Sequence, residues 1–212
     1  MGVLETLGLA MGTAWTAGIN VYATVAALGL AGRYEMIQLP DELQILTHPL
    51  VIGVAVVMYL VEFFADKIPY IDNAWDVVHT FIRVPAGAIL AARSLGDVDP
   101  ALELVAILGG GTVALAAHGT KASARLAINV SPEPFSNWLT SIGEDLAVLF
   151  GIWLMFEHPL VMLVLVIGFI AFAVWLIPKI FRLAKRGFDL LRSRLASRPS
   201  NAGTSSPPPP SN

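Results

Sequence analysis

Cysteine is absent from all 212 residues, which excludes disulfides and thiolate chemistry and removes the best zinc and iron–sulfur ligands. Histidine occurs four times, too few for a His-rich cage, so neither a metal nor a cofactor is expected. Charge is thin as well: 14% of residues are ionised, against about 25% in soluble domains. The hydrophobic fraction is 56% and the mean hydropathy +0.70, the composition of an integral membrane protein. The net charge of −3 says little, because the charges are segregated along the chain. No catalytic constellation is present: no nucleophile with a paired base, no phosphate loop, no His-x-x-x-His or Glu-x-x-His. The chain therefore reads as a non-enzyme. Nucleic-acid binding is excluded too, since the one basic run lies beside a hydrophobic segment and lacks clustered aromatics. Met1–Thr6 has no positive n-region, so no cleaved signal peptide is expected, and its loose match to a myristoylation pattern is discounted.

What the chain does have is long apolar runs. A span needs about 17–25 mostly apolar residues. Six segments approach that length: 4–30, 49–65, 75–92, 101–128, 135–156 and 158–177. His48-Pro49 and His158-Pro159 read as helix starts with Pro in the first turn. Pro85 predicts a kink, and Ile177-Pro178 a helix end. The expected fold is an all-α polytopic transmembrane bundle over 1–180, with about six spans. The third and fifth segments are open to a re-entrant reading. Residues 181–198 form a basic amphipathic juxtamembrane helix, and 199–212 a disordered Pro/Ser tail. Lys67, Lys121, Arg125 and the basic C-terminal run place both termini in the cytoplasm by the positive-inside rule. Gly12-Thr13-Ala14 echoes Gly111-Thr112-Val113, a weak sign of an inverted repeat.

Against this apolar background stand four polar stripes. They are Glu62 and Asp66; Asp72, Asp76, His79 and Arg83; His118, Lys121, Arg125 and Asn129; and Asn137, Ser141, Glu144 and Asp145. Spacings of three and four put each set on one helical face. Charge in hydrocarbon is costly, so such residues face a bundle interior and mark a pathway or a binding site. Opposite-sign stripes should meet, because unpaired charges in low dielectric are expensive. Glu144 and Asp145 cannot both face lipid, so at least one should meet Arg83, Arg125 or a bound cation. Pro69 breaks the second segment into a hairpin with the third. Near it, Asp66, Lys67 and Asp72 read preferentially as interfacial anchors, with Lys67 paired to Asp66 or Asp72. His79 and Arg83 lie deeper and read as functional. Ser136 or Asn137 is placed to cap the fifth segment's helix. Asn20 and Tyr22 could supply uncharged ligands or serve helix packing.

The run EFFADKIPYIDNAWDVVHTFIR (62–83), with His118-Gly-Thr-Lys-Ala and Asn129-Val-Ser-Pro-Glu-Pro-Phe-Ser-Asn137-Trp138, resembles an uncharacterised bacterial membrane family, domain of unknown function 4126. The likeness covers essentially residues 1–180. Val84 separates Arg83 from Pro85, where the family pattern would have Arg-Pro directly. The resemblance implies a multi-pass protein of the bacterial inner membrane and brings no activity with it.

Three functions fit these residues. The leading one is a transporter or channel for a small ion or polar solute, reached from the cytoplasmic side. Glu62, Asp76, Glu144 and Asp145 would handle a cation or protons, His79 would relay, and Arg83, Lys121 and Arg125 would be counter-charges or anion ligands. Asp66, His118, Asn129 and Asn137 complete the candidate set. The alternatives are a phospholipid- or lipid-phosphate-handling protein and a structural assembly partner. Membrane lipids are expected partners, and a homo-oligomer is compatible with the sequence.

Overall fold

A computed structural model describes residues 2–68, 71–128 and 134–196, with the side chains of 72, 73, 134 and 183–196 left outside the description. Among the described residues the chain is all-α, without strands. The helices are α1 (Val3–Ile19), α2 (Val21–Arg33), α3 (Pro49–Ala65), α4 (Ile71–Ser94), α5 (Pro100–Ile128), α6 (Pro134–Glu157) and α7 (Pro159–Ala196), and a short 3-10 turn, Asp41–Thr47, leads into α3. Both His-Pro pairs start helices as expected: Pro49 opens α3 and Pro159 opens α7. At the first, His48 Nδ1 accepts the Leu50 amide at 3.2 Å, satisfying one of the donors that a helix start leaves orphaned.

α1 is the axis of the molecule. It packs against α4, α5, α7 and α6, and its residues from Gly8 to Ile19 are buried with the exception of Met11. Its small side chains let the neighbouring backbones close in, which is how helices associate where no hydrophobic effect drives them together. At Asn20 the axis breaks. This residue has φ −150° and ψ 100°, which ends α1, and its Oδ1 accepts the Ala23 amide at 2.9 Å, which starts α2. The first apolar segment is thus a discontinuous helix whose break is buried.

Among the described residues, three helices are long and apolar enough to cross a membrane: α5, the Phe135–Glu157 part of α6 and the Pro159–Arg182 part of α7. The 3-10 turn and α3, bent by 67° at their junction, make a fourth if counted together. The chain is thus a membrane protein with three to four clear candidate spans. Two of the six anticipated segments fall short for identifiable reasons. Asn20 divides the first into helices of 17 and 13 residues, and α4, with Asp76, His79 and Arg83 among its apolar residues, is not apolar enough. Both α4 and α7 run through their prolines; in particular α7 does not end at Pro178 but continues to Ala196. The side chains expected to make the C-terminal basic face, Lys185 to Arg194, lie outside the described ones, as does the 199–212 tail.

The distribution of polarity is inverted relative to a water-soluble protein. Large apolar side chains cover the outside of α3, α5, α6 and α7, among them Val54, Val57, Leu108, Leu149, Trp153, Val164 and Ile167. By volume, the two largest fully buried side chains among the described residues are Arg83 and Arg125.

Candidate functional site: a buried charge network

The network is assembled by four helices. α3 and the residue following it contribute Glu62 and Asp66; α4 contributes Asp76 and Arg83; α5 contributes His118, Lys121 and Arg125; α6 contributes Glu144. The i+3 and i+4 steps along α5 place its three members on one face, as the spacing predicted.

Arg83 is held at three points. Its Nη2 donates to Glu62 Oε1 at 2.6 Å, and its Nη1 donates to Asp76 Oδ1 at 3.1 Å and to His118 Nδ1 at 2.9 Å. That last bond fixes the histidine's state. A guanidinium has no lone pair to offer, so Nδ1 must be the acceptor and the ring neutral. The proton then sits on Nε2, which lies 2.8 Å from Thr80 Oγ1 and 3.0 Å from the Asp76 carbonyl oxygen.

Lys121 bonds in three directions, to Asp66 Oδ2 at 3.0 Å, Glu62 Oε1 at 3.3 Å and Glu144 Oε2 at 3.3 Å. Two of these contacts, to Asp66 and Glu62, are hydrogen bonds, and the third is an ion pair. Arg125 grips Glu144 in a two-pronged fork, Nε to Oε1 at 3.2 Å and Nη2 to Oε2 at 2.6 Å, and also donates from Nη1 to the Asp66 carbonyl oxygen at 2.8 Å. The bidentate geometry is the strong form of an ion pair. α3 and α5 have almost no close backbone approach, so these long cationic side chains fill the space between them.

The network has an imbalance. Four carboxylates (Glu62, Asp66, Asp76, Glu144) face three cations (Arg83, Lys121, Arg125), with His118 neutral, a formal surplus of one negative charge among the described residues. Three of those carboxylates each bury one oxygen without a hydrogen-bond partner among the described residues: Glu62 Oε2, Asp66 Oδ1 and Asp76 Oδ2. A buried polar atom without a partner costs about 1–3 kcal/mol, more for a charged one, so such an arrangement is not explained by stability alone.

Several placements differ from the sequence reading. Asp66, read preferentially as an interfacial anchor, is buried inside the network and bonded to Lys121 and Arg125. Lys67 donates to the Phe63 carbonyl oxygen at 2.9 Å and reaches Ser141 Oγ at 3.5 Å, so neither predicted carboxylate partner accounts for those two bonds. His79 is buried but stands beside the network. Its Nδ1 lies 2.9 Å from the Trp75 carbonyl oxygen, its ring stacks on Trp75 at 4.5 Å, and its Nε2 meets the Tyr22 hydroxyl at 3.2 Å. A backbone carbonyl only accepts, so Nδ1 carries the proton and Tyr22 donates to Nε2. Trp75 is that ring's platform. Asp145 takes a hydrogen bond from Tyr59 at 2.9 Å, leaving Glu144 as the acid that meets Arg125. Asn137 is fully buried, but α6 begins at Pro134, so Ser136 and Asn137 lie inside its first turn rather than capping it. Asn129 and the side chain of Asp72 lie outside the described residues.

Tyr59 was missed, although its position three residues before Glu62 on the same face of α3 was the available signal. Thr80 was missed because a threonine bonding its own helix carbonyl is common. No group of three or more His, Asp or Glu among the described residues is placed to hold a metal ion.

A family model described as Domain of unknown function (DUF4126) matches residues 7–179, and the chain belongs to that family. No curated protein and no solved structure matches it.

Proposed function

We propose that this member of the DUF4126 family is a membrane transporter or channel for a small cation or polar solute, and that the buried network is where the cargo or coupling ion binds. One observation carries the reading: an apolar-coated bundle encloses four carboxylates against three cations, with one oxygen each on Glu62, Asp66 and Asp76 lacking a partner. One proton or one monovalent cation would neutralise the surplus and satisfy part of that unmet capacity. The break at Asn20 adds support, since discontinuous helices line ion and substrate sites near the middle of many transporters. His79 and Tyr22 would form a side branch of the path rather than its centre.

The lipid-phosphate reading needs Lys121 and Arg125 to be available to an anion, whereas both are engaged with carboxylates of this chain. The full proposal places six segments across the bacterial inner membrane, with both termini cytoplasmic and the first and fourth segments related as an inverted repeat.

The test is reconstitution in liposomes with an entrapped pH dye and defined gradients of protons, sodium and potassium. Flux of one of these ions that Glu62→Gln abolishes and Arg93→Ala spares is the expected result; Arg93 pairs with Glu42 on the surface. If no gradient is dissipated by folded protein, the charges serve packing and the transport reading fails.

A further inference from the structure

A cavity of about 360 Å³ opens between α5, α6 and α7 and reaches the network from its side. Its walls are Ile19, Ala117, Ala124, Gly143, Ala147 and Phe169, and among the described residues its charged lining groups are Lys121 and Glu144. The volume falls in the range of small-ligand pockets, about 300–1,000 Å³. Glu144 is also the network's most accessible ion-pair member, with a side chain 14% exposed against 4% or less for the others.

The hydrogen-bonding inventory of this cavity is weighted toward acceptors. Lys121 hydrogen-bonds Asp66 and Glu62 and is ion-paired with Glu144 at 3.3 Å. Two hydroxyls line the wall, and both give their protons away within their own helices, Thr120 to the Ala116 carbonyl and Thr140 to the Ser136 carbonyl, at 2.8 Å each. What these groups still offer a visitor is lone pairs: the two hydroxyl oxygens and the Glu144 carboxylate. Acceptors on apolar walls, beside a network with surplus negative charge, complement a donor-bearing cation with an apolar body.

We propose that this lateral cavity is a binding site for a small amphiphilic organic cation, a protonated amine whose ammonium meets Glu144 and the Thr120 and Thr140 oxygens while its apolar part lies against Phe169, Ala147 and Ala124. The inference rests on the transport reading and names its substrate class. An anionic amphiphile is disfavoured by the same inventory, because the cavity's one cationic side chain is already taken up by carboxylates.

The experiment is equilibrium binding to the purified full chain in detergent, comparing benzylammonium, benzyl alcohol and benzoate, which share a ring and differ in charge. Benzylammonium should bind about tenfold or more tightly than the alcohol, as a charge-assisted bond in a dry site allows, and benzoate should not compete. Gly143→Leu should abolish the binding while the protein stays folded, since a side chain at Gly143 meets nothing within 4 Å and so grows into open space at the cavity wall. Glu144→Gln should erase the preference for the cation over the alcohol. Equal binding of all three probes, tighter benzoate, no binding at all, or benzylammonium binding that survives Gly143→Leu would each overturn the proposal. Amine binding without ion flux in liposomes would leave this site standing and sink the transport reading; proton flux without amine binding would do the reverse.

Discussion

The two halves of the α4–α5 pair are held together by opposite means. Along these antiparallel helices Arg83 bonds His118, a Cβ at Gly87 would lie 2.5 Å from the Ala114 Cβ, and one at Gly110 would lie 2.4 Å from the Ala91 Cβ. The contacts step by four on both helices, one face against one face. At one end the backbones approach so closely that a methyl group does not fit. At the other they carry charges that must be satisfied by neighbours from α3 and α6. Close packing is self-sufficient and specifies geometry. A charged contact is conditional, stable only while each partner is present, and can therefore respond to an ion. The difference separates scaffold from site within one helix pair.

Removing a partner from the charged end should produce the largest effect. Arg125→Met leaves Asp66 and Glu144 without their guanidinium, and a loss of about 3–5 kcal/mol is expected, enough to unfold many membrane domains. Thermal unfolding in detergent measures it, and a near-neutral result would mean that these ions are hydrated rather than buried. Next comes the packed end. Gly110→Val forces α4 and α5 apart, since an added Cβ would lie 2.4 Å from that of Ala91, with an expected cost of about 1–3 kcal/mol and no change in ion or amine binding. A binding change from that substitution would erase the distinction between the two ends.

A double-mutant cycle sharpens the comparison further. Glu62→Gln with Arg83→Gln should show a coupling of about 0.5–3 kcal/mol, because the two groups share a 2.6 Å bond, whereas Glu62→Gln with Gly110→Val should be additive. The smallest effect belongs to the surface. Arg93 and Glu42 are both exposed, so Arg93→Ala should cost less than about 1 kcal/mol, less still in high salt.

Much of this was legible in the sequence. Spacing alone put Lys121 and Arg125 on one face of a helix, and the cost of charge in hydrocarbon required that face to meet acids. His48-Pro49 and His158-Pro159 announced their helices because Pro is favoured in the first turn, where its missing N–H costs nothing. The side of the line on which Asp66 fell was not legible. Anchor and network member have the same spacing, and only the α3–α5 gap, filled by Lys121 and Arg125, decides between them. The separation of His79 from Arg83 was hidden for a related reason. Both lie on one face of α4, but the neighbour above His79 is Tyr22, brought there by a helix break that composition does not reveal.

By itself the sequence determined the class of protein, the helical register, the sign of each stripe and the need for those stripes to meet. These follow from local periodicity and from the free energy of placing charge in an apolar medium, neither of which depends on topology. Tertiary structure decided which oxygen meets which nitrogen, that three carboxylates each keep an unpartnered oxygen, and that a cavity reaches the network beside Glu144. Those facts depend on distances between helices far apart in the chain, and such distances are set by the packing of every other residue at once.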